Sequence, residues 1–390
     1  MVKCTRSVTL LGFCIVANCL FARDLLDYRG RENLDKDTST YEFAFTLSEN
    51  GSSMVMDLKS ELEWGELDVW FGGAGFQVIG NYTGEQAFAY EKAVFGPFNS
   101  QEPITVRISA RHASGRWRIR FSEISRQSLQ STLLVSGLLV VLITIFIVLW
   151  WKKSLQTSWK WLLIGAGVWF VGVLFKFVLA YLANAPVFAF IKSSLGHTGY
   201  LILGSTYIGL LTGIFEIGMT LVFALLIRGI YDNPRRALSV GLGAGVVEAL
   251  LIGLSSLGSY VTALTGAVNS AAMMSALSQA MVVTPFLWLI GSVERIIAIL
   301  CHTSSRALVL FAVAQHKARY FWAGFFILTA IDAVAGYVHL AGLINKVSTW
   351  WIELLLLPFA VGSVFIIKWC YENWIMVRKS GTQGITVSEN

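Results

Sequence analysis

Charged residues are scarce in this sequence. Only 14% of its 390 residues are Asp, Glu, Lys or Arg, whereas 55% are hydrophobic. An average soluble domain has about 25% charged residues. The shortage excludes an ordinary soluble protein and predicts that most of the chain lies in a lipid bilayer.

Cysteine is also rare, and three of the five cysteines lie in the first 22 residues. Residues 1–22 place Lys3 and Arg6 before an apolar run that ends in a small residue, which is the layout of a secretory signal peptide. Removal of this peptide leaves only Cys301 and Cys370, both in apolar segments. Two such cysteines exclude a disulfide framework in the exported part and a cysteine-based metal site.

Several motifs of common binding and catalytic sites are missing. The sequence has no G-x-G-x-x-G or P-loop sequence, no evident tandem repeat and no H-E-x-x-H. Only one histidine, His302, lies in the middle of a predicted membrane span. The sequence therefore predicts neither a nucleotide site of these kinds nor a zinc peptidase with two histidines on one helix.

The remaining charges are divided unevenly along the chain. Residues 23–125 hold 11 Lys or Arg against 16 Asp or Glu, whereas residues 126–390 hold 17 against 8. The pI of about 9.0 therefore comes from the apolar part, where basic residues are typical of cytoplasmic loops. We expect no nucleic-acid partner.

Residues 38–125 alternate between apolar and polar side chains with the period of a β-strand. Turn residues separate six such segments: TYEFAFTL, SMVMDLKS, ELDVWFGG, AFAYEKAVF, PITVRISA and GRWRIRFSEI. This spacing predicts an all-β sandwich over residues 23–125, an extracytoplasmic module for binding or spacing. Four of its aromatic residues form either part of the core or a platform for an unknown ligand: Trp64, Trp70, Phe71 and Phe76.

An α-helical bundle of about seven transmembrane helices is predicted over residues 126–372. The apolar stretches lie at about 131–151, 160–183, 200–228, 237–257, 285–314, 320–343 and 350–371. Eleven Lys or Arg lie in the loops on one side and three in the opposite loops, a bias that predicts a cytoplasmic tail at 373–390. We expect a multi-pass protein of a bacterial inner membrane, with the β-domain outside and the uncharged segment 258–284 as an interfacial helix or lid.

Five of the eight acidic residues after residue 125 fall inside the predicted spans. They are Glu216, Glu248, Glu294, Asp332 and Glu353. A charged group at bilayer depth costs about 3 kcal/mol, so a cluster of them on several helices indicates a shared polar cavity.

The fifth predicted span carries a polar stripe. At 100° per residue, its ionisable groups occupy a sector about 120° wide; they are Glu294, Arg295, His302 and Arg306. We expect Glu248 and Asp332 to provide partners for this stripe. Glu353 is expected to reach water and Lys176 to extend toward the outer surface.

Such a cluster is compatible with several kinds of function. A carboxylate could activate water while His302 polarises a carbonyl group, which hydrolyses amides without a metal. His302 and the carboxylates could instead bind a divalent metal, or the carboxylates could relay protons in a carrier. A purely structural role is also open, in which buried ion pairs only fix the packing of the helices.

Over roughly residues 130–370, the sequence resembles the YhfC family. Four segments carry the resemblance: GIFEIGM (213–219), GLGAGVVEALLIG (241–253), ERIIAILCH (294–302) and TAIDAVAG (329–336). The family is related to PrsW and to the CAAX-processing endopeptidases. These belong to a superfamily of glutamic-type intramembrane proteases, some of which were earlier described as metalloproteases.

The match to the family motifs is complete in one segment and partial in the others. The E-R-x-x-A-x-x-x-H motif is complete, with Glu294, Arg295, Ala298 and His302. The single acids of the other motifs are present at Glu216, Glu248 and Asp332. Residues that the family pattern has as Glu, Arg, His and His are replaced at Ile217, Thr220, Ala244 and Leu328, respectively.

The resemblance implies a glutamic-type peptidase that cleaves a transmembrane or membrane-proximal protein substrate. It assigns the base to Glu248 or Glu216 and the acid or electrophile to His302. Supporting roles fall to Glu294 and Asp332, which orient the site, and to Arg295 and Arg306. No cofactor is expected, although a divalent metal at His302 and the carboxylates stays open. An inactive homologue that acts as a receptor or scaffold through the β-domain is a further possibility, as is a proton-coupled carrier.

Overall fold

The computed structural model describes residues 23–33, 37–72, 77–83, 89–96, 98, 103–227, 229–266, 270–344 and 346–383. The predicted signal peptide, Phe76 and the last seven residues of the predicted tail lie outside these ranges. The chain divides into two compact units. One comprises Met1–Leu134 and Gly258–Val282, and the other comprises Val135–Leu257 and Val283–Asn390.

Six antiparallel strands form one sheet in the first unit. The strands are β1 (Arg23–Asn33), β2 (Thr38–Phe45), β3 (Ser53–Gly72), β4 (Gln77–Thr83), β5 (Ala89–Phe95) and β6 (Ile104–Ile124). The predicted antiparallel β architecture is therefore present. All six described strands belong to a single hydrogen-bonded sheet, and the arrangement of that sheet as a sandwich stays a prediction.

The two long strands, β3 and β6, bend together in the middle of the sheet. Their pairing shifts register between Leu62 and Glu66, beside Gly65, whose φ of 95° is open to glycine but unfavourable for other residues. Before the bend β3 also pairs with β5, and after it with β4. A bend of this kind explains why four predicted short strands are two continuous long ones.

Alternating residues of the two long strands, β3 and β6, form much of the hydrophobic core of the β-unit. In β6, buried residues alternate with partly exposed ones over its first seven positions. Tyr28, Tyr41 and Trp117 form an aromatic cluster, and the Tyr41 hydroxyl donates a hydrogen bond of 2.9 Å to the buried Glu32. Trp64, a candidate for the core, is 37% exposed.

Eight α-helices are described after the sheet. They are α1 (Arg126–Leu155), α2 (Trp159–Thr212), α3 (Gly218–Leu226), α4 (Pro234–Thr265), α5 (Ser270–Val283), α6 (Leu287–Gln315), α7 (Ala318–Leu340) and α8 (Thr349–Gln383). Six described stretches are long and apolar enough to cross a membrane. One of them, Trp159–Leu226, has 68 residues, about three times the length that a single crossing requires.

Helix α2 is interrupted at Gly196, which has a φ of 67° and a ψ of −167°. The chain reverses there, because Lys176 contacts Thr212 and the Phe188 ring lies 5.7 Å from the Tyr207 ring. The predicted spans 160–183 and 200–228 correspond to the two arms of this hairpin. The count of seven crossings and their orientation stay predictions.

The uncharged segment after the fourth predicted span contains two pieces of helix. Its first residues continue α4 to Thr265, and Ser270–Val283 form the separate helix α5. Within the first unit, Ala263 and Met274 pack with Val55 of β3 in an apolar cluster. An interfacial location or a lid function for this segment stays a prediction.

Candidate active site

A single π-helical turn, Gly213–Ile217, connects the second arm of α2 to α3 and carries Glu216. Such turns widen an α-helix locally and are frequent at functional sites. The side chain of Glu216 is 3% exposed. The lysine and arginine contacts described below are therefore needed to offset the burial of its charge.

Glu248 reaches the same region because α4 and α6 pack closely. A Cβ atom added at Gly245 would lie 2.8 Å from Ile299 Cα and 3.1 Å from His302 Cβ. Only glycine permits this approach of the two helices. Glu248 follows one turn after Gly245 and thus lies beside His302.

Three predicted site residues come together at this point. Glu216, Glu248 and His302 each offer one polar atom, and these atoms lie within 4.8 Å of one another. His302 Nε2 is 2.9 Å from Glu248 Oε2, and His302 Nδ1 is 2.7 Å from Arg306 Nη1. Because a guanidinium group has only donors, Nδ1 accepts and Nε2 carries the proton that is donated to Glu248.

Further contacts extend this group into one charged network of acids and bases. Its members, in order of contact, are Glu294, Arg295, Glu248, His302, Arg306, Glu216, Lys176 and Asp332. Arg295 Nη1 lies 2.7 Å from Glu248 Oε1, and Arg306 Nη2 lies 3.1 Å from Glu216 Oε2. Because acids and bases alternate along the network, each buried charge lies next to an opposite charge. In the low dielectric of a membrane interior, an unpaired charge is strongly unfavourable.

The structure brings together most of the polar stripe predicted on α6. Arg295, His302 and Arg306 are buried, whereas the side chain of Glu294 is 42% exposed and joins the network only through Arg295. Asp332 joins the network through α2 instead of through the stripe. It accepts a hydrogen bond from the hydroxyl of Thr212 and lies 3.9 Å from Lys176 Nζ.

Two expectations for ionisable groups in the membrane helices were wrong. Lys176 does not extend toward the outer surface, because its Nζ lies 2.5 Å from Glu216 Oε1. The hairpin in α2 makes this contact possible, and no local pattern around Lys176 signals it. Glu353 was expected to reach water but is 5% exposed.

Sequence reasoning also missed Trp169 as a member of the site. Its Nε1 donates a hydrogen bond of 3.2 Å to Glu248 Oε2, and the residue itself is buried. Tryptophan carries one N–H donor and no acceptor, so this N–H can bind a carboxylate oxygen. An indole group in an apolar span is common, and nothing in its spacing distinguishes this one.

The donor set at Glu216, Glu248 and His302 does not fit a divalent metal in this arrangement. A metal-bound imidazole needs a free nitrogen lone pair. Nδ1 of His302 accepts from Arg306, and Nε2 donates to Glu248. Both oxygens of Glu216 are likewise held, by Lys176 and Arg306.

The helices and the buried charged network define a multi-pass membrane protein with a polar site among its spans. The chain belongs to the YhfC family: the family model described as YhfC intramembrane metalloprotease matches residues 139–356, more than half of the chain. It is also similar to the uncharacterized membrane protein YhfC of Bacillus subtilis (strain 168). The two are 28% identical over 256 residues, which is 60% of this chain and 93% of the relative.

Proposed function

We propose that this protein is a membrane-embedded peptidase in which Glu248 activates water and His302 polarises the scissile carbonyl group. The observation that carries the proposal is the placement of Glu248 between His302 Nε2 at 2.9 Å and Arg295 Nη1 at 2.7 Å. A carboxylate beside an imidazole N–H provides the base and the electrophile of amide hydrolysis. Membership of a family whose model is described as an intramembrane metalloprotease supports peptide cleavage, and the metal-free route rests on the geometry alone.

Glu248 is a better candidate for the base than Glu216. Both oxygens of Glu216 are bound by cationic groups, and its side chain is 3% exposed. At Glu248 only Oε1 is bound by a cationic group, Arg295, because Oε2 accepts from the neutral donors of His302 and Trp169. The side chain of Glu248 is 23% exposed. A base must come within hydrogen-bond reach of the water that it deprotonates. Glu216 is therefore assigned the role of holding Arg306 against the His302 ring.

The reaction starts when a substrate carbonyl oxygen replaces Glu248 Oε2 as the acceptor of the His302 Nε2–H. Glu248 then removes a proton from water, and the hydroxide attacks the carbonyl carbon. The proton on Glu248 passes to the amide nitrogen as the C–N bond breaks, which yields a carboxylic acid and an amine. Nε2–H stabilises the developing oxyanion, as preorganised donors do in other acyl-transfer sites.

The test compares the membrane proteomes of source cells that carry the wild-type protein, Glu248→Gln or His302→Ala. New N-termini are identified by mass spectrometry. Glu372→Gln and His197→Ala are matched controls, because both residues are exposed and lie outside the charged network. We expect Glu248→Gln to lower cleavage about 100-fold or more, the contribution of a general base, while the controls cleave as the wild type does.

Unchanged cleavage in either Glu248→Gln or His302→Ala would contradict the proposal. Glutamine has the size of glutamate and its amide oxygen can still accept from Arg295, so Glu248→Gln separates loss of the base from loss of the fold. Thermal unfolding of each purified variant in detergent checks that the fold persists.

A receptor or scaffold without catalysis is the second candidate. It is favoured by the pairing of both Glu216 oxygens and both His302 nitrogens within the protein. In that case the charged network serves only packing, and a partner binds through the β-domain. This function predicts that network variants lose stability while the set of membrane-protein N-termini stays the same.

A further inference from the structure

We infer that Lys176 provides the built-in cation of this site, so that the charged network forms without a divalent metal. The inference goes beyond peptide cleavage and does not depend on it. It concerns the ammonium group that the α2 hairpin brings to Glu216. The description of the YhfC family model includes the word metalloprotease, whereas the acids of this site contact Lys176, Arg295 and Arg306.

Lys176 Nζ occupies a position among oxygen atoms from three different residues. It lies 2.5 Å from Glu216 Oε1, 3.3 Å from Thr212 Oγ1 and 3.9 Å from Asp332 Oδ2. The Thr212 hydroxyl also donates to Asp332, which ties the same carboxylate to the group. Two carboxylates and a hydroxyl are ligands that hard divalent cations prefer, and here they surround an ammonium group.

The arginines complete the neutralisation of the acids. Arg306 binds the second carboxylate oxygen of Glu216, and Arg295 binds a carboxylate oxygen of Glu248. With Lys176, the network has three fixed cations and four carboxylates, besides His302. Glu294 is 42% exposed to solvent, and without it the three cations balance three carboxylates. A divalent ion added to this balanced set would leave two uncompensated positive charges in a low-dielectric region, which is strongly unfavourable.

The imidazole of the site agrees with this interpretation. Among the described residues, the cluster of possible metal ligands contains one histidine, His302, beside Glu216 and Glu248. Both nitrogens of His302 are engaged, Nδ1 by Arg306 and Nε2 by Glu248.

Removal of the ammonium group should convert this position into a cation site. In Lys176→Met, Glu216 and Asp332 keep their charges but lose the cation between them. The side chain of methionine has similar length and fills the same space without charge. Lys192→Met is the matched control, since Lys192 lies on the same helix and is exposed.

The experiment uses the full-length protein purified in detergent after treatment with EDTA. Bound metal is counted by elemental analysis, and thermal unfolding is recorded with and without Mn²⁺ or Zn²⁺. For the wild type and Lys192→Met we expect no stoichiometric metal and no shift of the Tm. For Lys176→Met we expect a lower Tm that rises again with Mn²⁺ or Zn²⁺, with about one ion bound per chain.

Two results would overturn the inference. One is a wild-type protein that retains about one metal ion per chain and loses stability in EDTA. The other is a folded Lys176→Met protein that neither loses stability nor responds to either ion.

If Lys176→Met does not fold, Lys176→Met combined with Asp332→Asn removes one charge of each sign and provides the second variant. That variant should fold and stay indifferent to metal, and a metal-dependent Tm in it would contradict the inference. No cleavage is measured, so these outcomes are independent of the proposed peptidase activity.

Discussion

Arg306 has no exposed side-chain surface and holds two members of the charged network at once. Its guanidinium group contacts Glu216 Oε2 at 3.1 Å and His302 Nδ1 at 2.7 Å. At a residue buried this deeply, removal of one partner leaves an uncompensated charge. The loss of stability then exceeds the net contribution of the pair itself.

We expect Arg306→Met to lower the free energy of unfolding by about 3–5 kcal/mol, the usual effect of breaking a buried ion pair. Arg306→Met combined with Glu216→Gln should recover part of this loss, because the buried carboxylate is removed together with its arginine, while Lys176 keeps Asp332 at 3.9 Å. Thermal unfolding in detergent measures both variants. Arg319→Met, at an exposed position, is the control, and equal stability of Arg306→Met and the control would refute the buried pair.

In the β-sheet, the hydrogen bond of the Tyr41 side chain can be tested by a single substitution. Its hydroxyl donates to the buried Glu32, and burial together with this hydrogen bond raises the pKa of Tyr41. The folded state thus keeps a proton that the unfolded state releases above about pH 10. The stabilisation is complete below that pH and disappears as the pH rises through the folded-state pKa.

Tyr41→Phe should therefore destabilise the sheet by about 1.5 kcal/mol at neutral pH, the net value of a hydrogen bond to a charged group. Amide hydrogen exchange in β1 and β2 of the full-length protein measures this loss. The variant should also show a smaller decline of stability between pH 9 and 11 (about the range set by the tyrosine pKa). An alkaline unfolding curve identical to that of the wild type would show that Tyr41 does not cause the decline.

At the scale of elements, the close contact of α4 and α6 depends on Gly245. An added methyl group there would meet the backbone of Ile299 at 2.8 Å. Gly258 lies on the same helix, and nothing lies within 4 Å of a Cβ atom added there. The two glycines therefore differ in packing while sharing a helical backbone.

Gly245→Ala should destabilise the protein by about 1–3 kcal/mol through overpacking and move Glu248 away from His302. Gly258→Ala should stabilise it by up to about 1 kcal/mol, because alanine loses less backbone entropy than glycine in a helix. Thermal unfolding shows directly whether each substitution lowers or raises the stability of the protein. A loss of the same size at both positions would mean that helix approach at Gly245 is not what matters.

The elements themselves were predictable to different degrees. The apolar runs of the membrane helices follow from composition, and the alternation in β6 marks a strand over its first half. β1 was missed because its sequence, RDLLDYRGREN, carries six charged residues in eleven. The bend at Gly65 was interpreted as a turn between strands, since a glycine in sequence does not reveal whether the partner strand bends with it.

The candidate site was also predictable only in part, because some of its members follow from a local sequence pattern and others from tertiary contacts. The stripe on α6 repeats at helical spacing, and its buried members Arg295, His302 and Arg306 follow from that spacing. The partnership of Lys176 with Glu216 joins residues 40 positions apart and depends on the reversal at Gly196. No periodicity in the sequence encodes that contact.

At the scale of the whole molecule, the distribution of basic loops predicts an orientation. Cysteines introduced at Lys59 and Lys192 should react with a membrane-impermeant thiol reagent in intact cells. A cysteine at Arg319 should react only after permeabilisation, because its loop is predicted to face the cytoplasm. All three residues are exposed, and the parent protein gives the background labelling; the reverse pattern would invert the predicted topology.

The central claim is a peptidase site that depends on Glu248 and needs no added metal. Its most direct measurement is cleavage of peptides from transmembrane segments by the purified protein in proteoliposomes containing EDTA. We predict that the wild-type protein cleaves in the presence of EDTA and that Glu248→Gln does not, although both stay folded at the temperature of the assay. Cleavage that EDTA abolishes and a divalent metal restores, or cleavage that Glu248→Gln retains, would contradict the account.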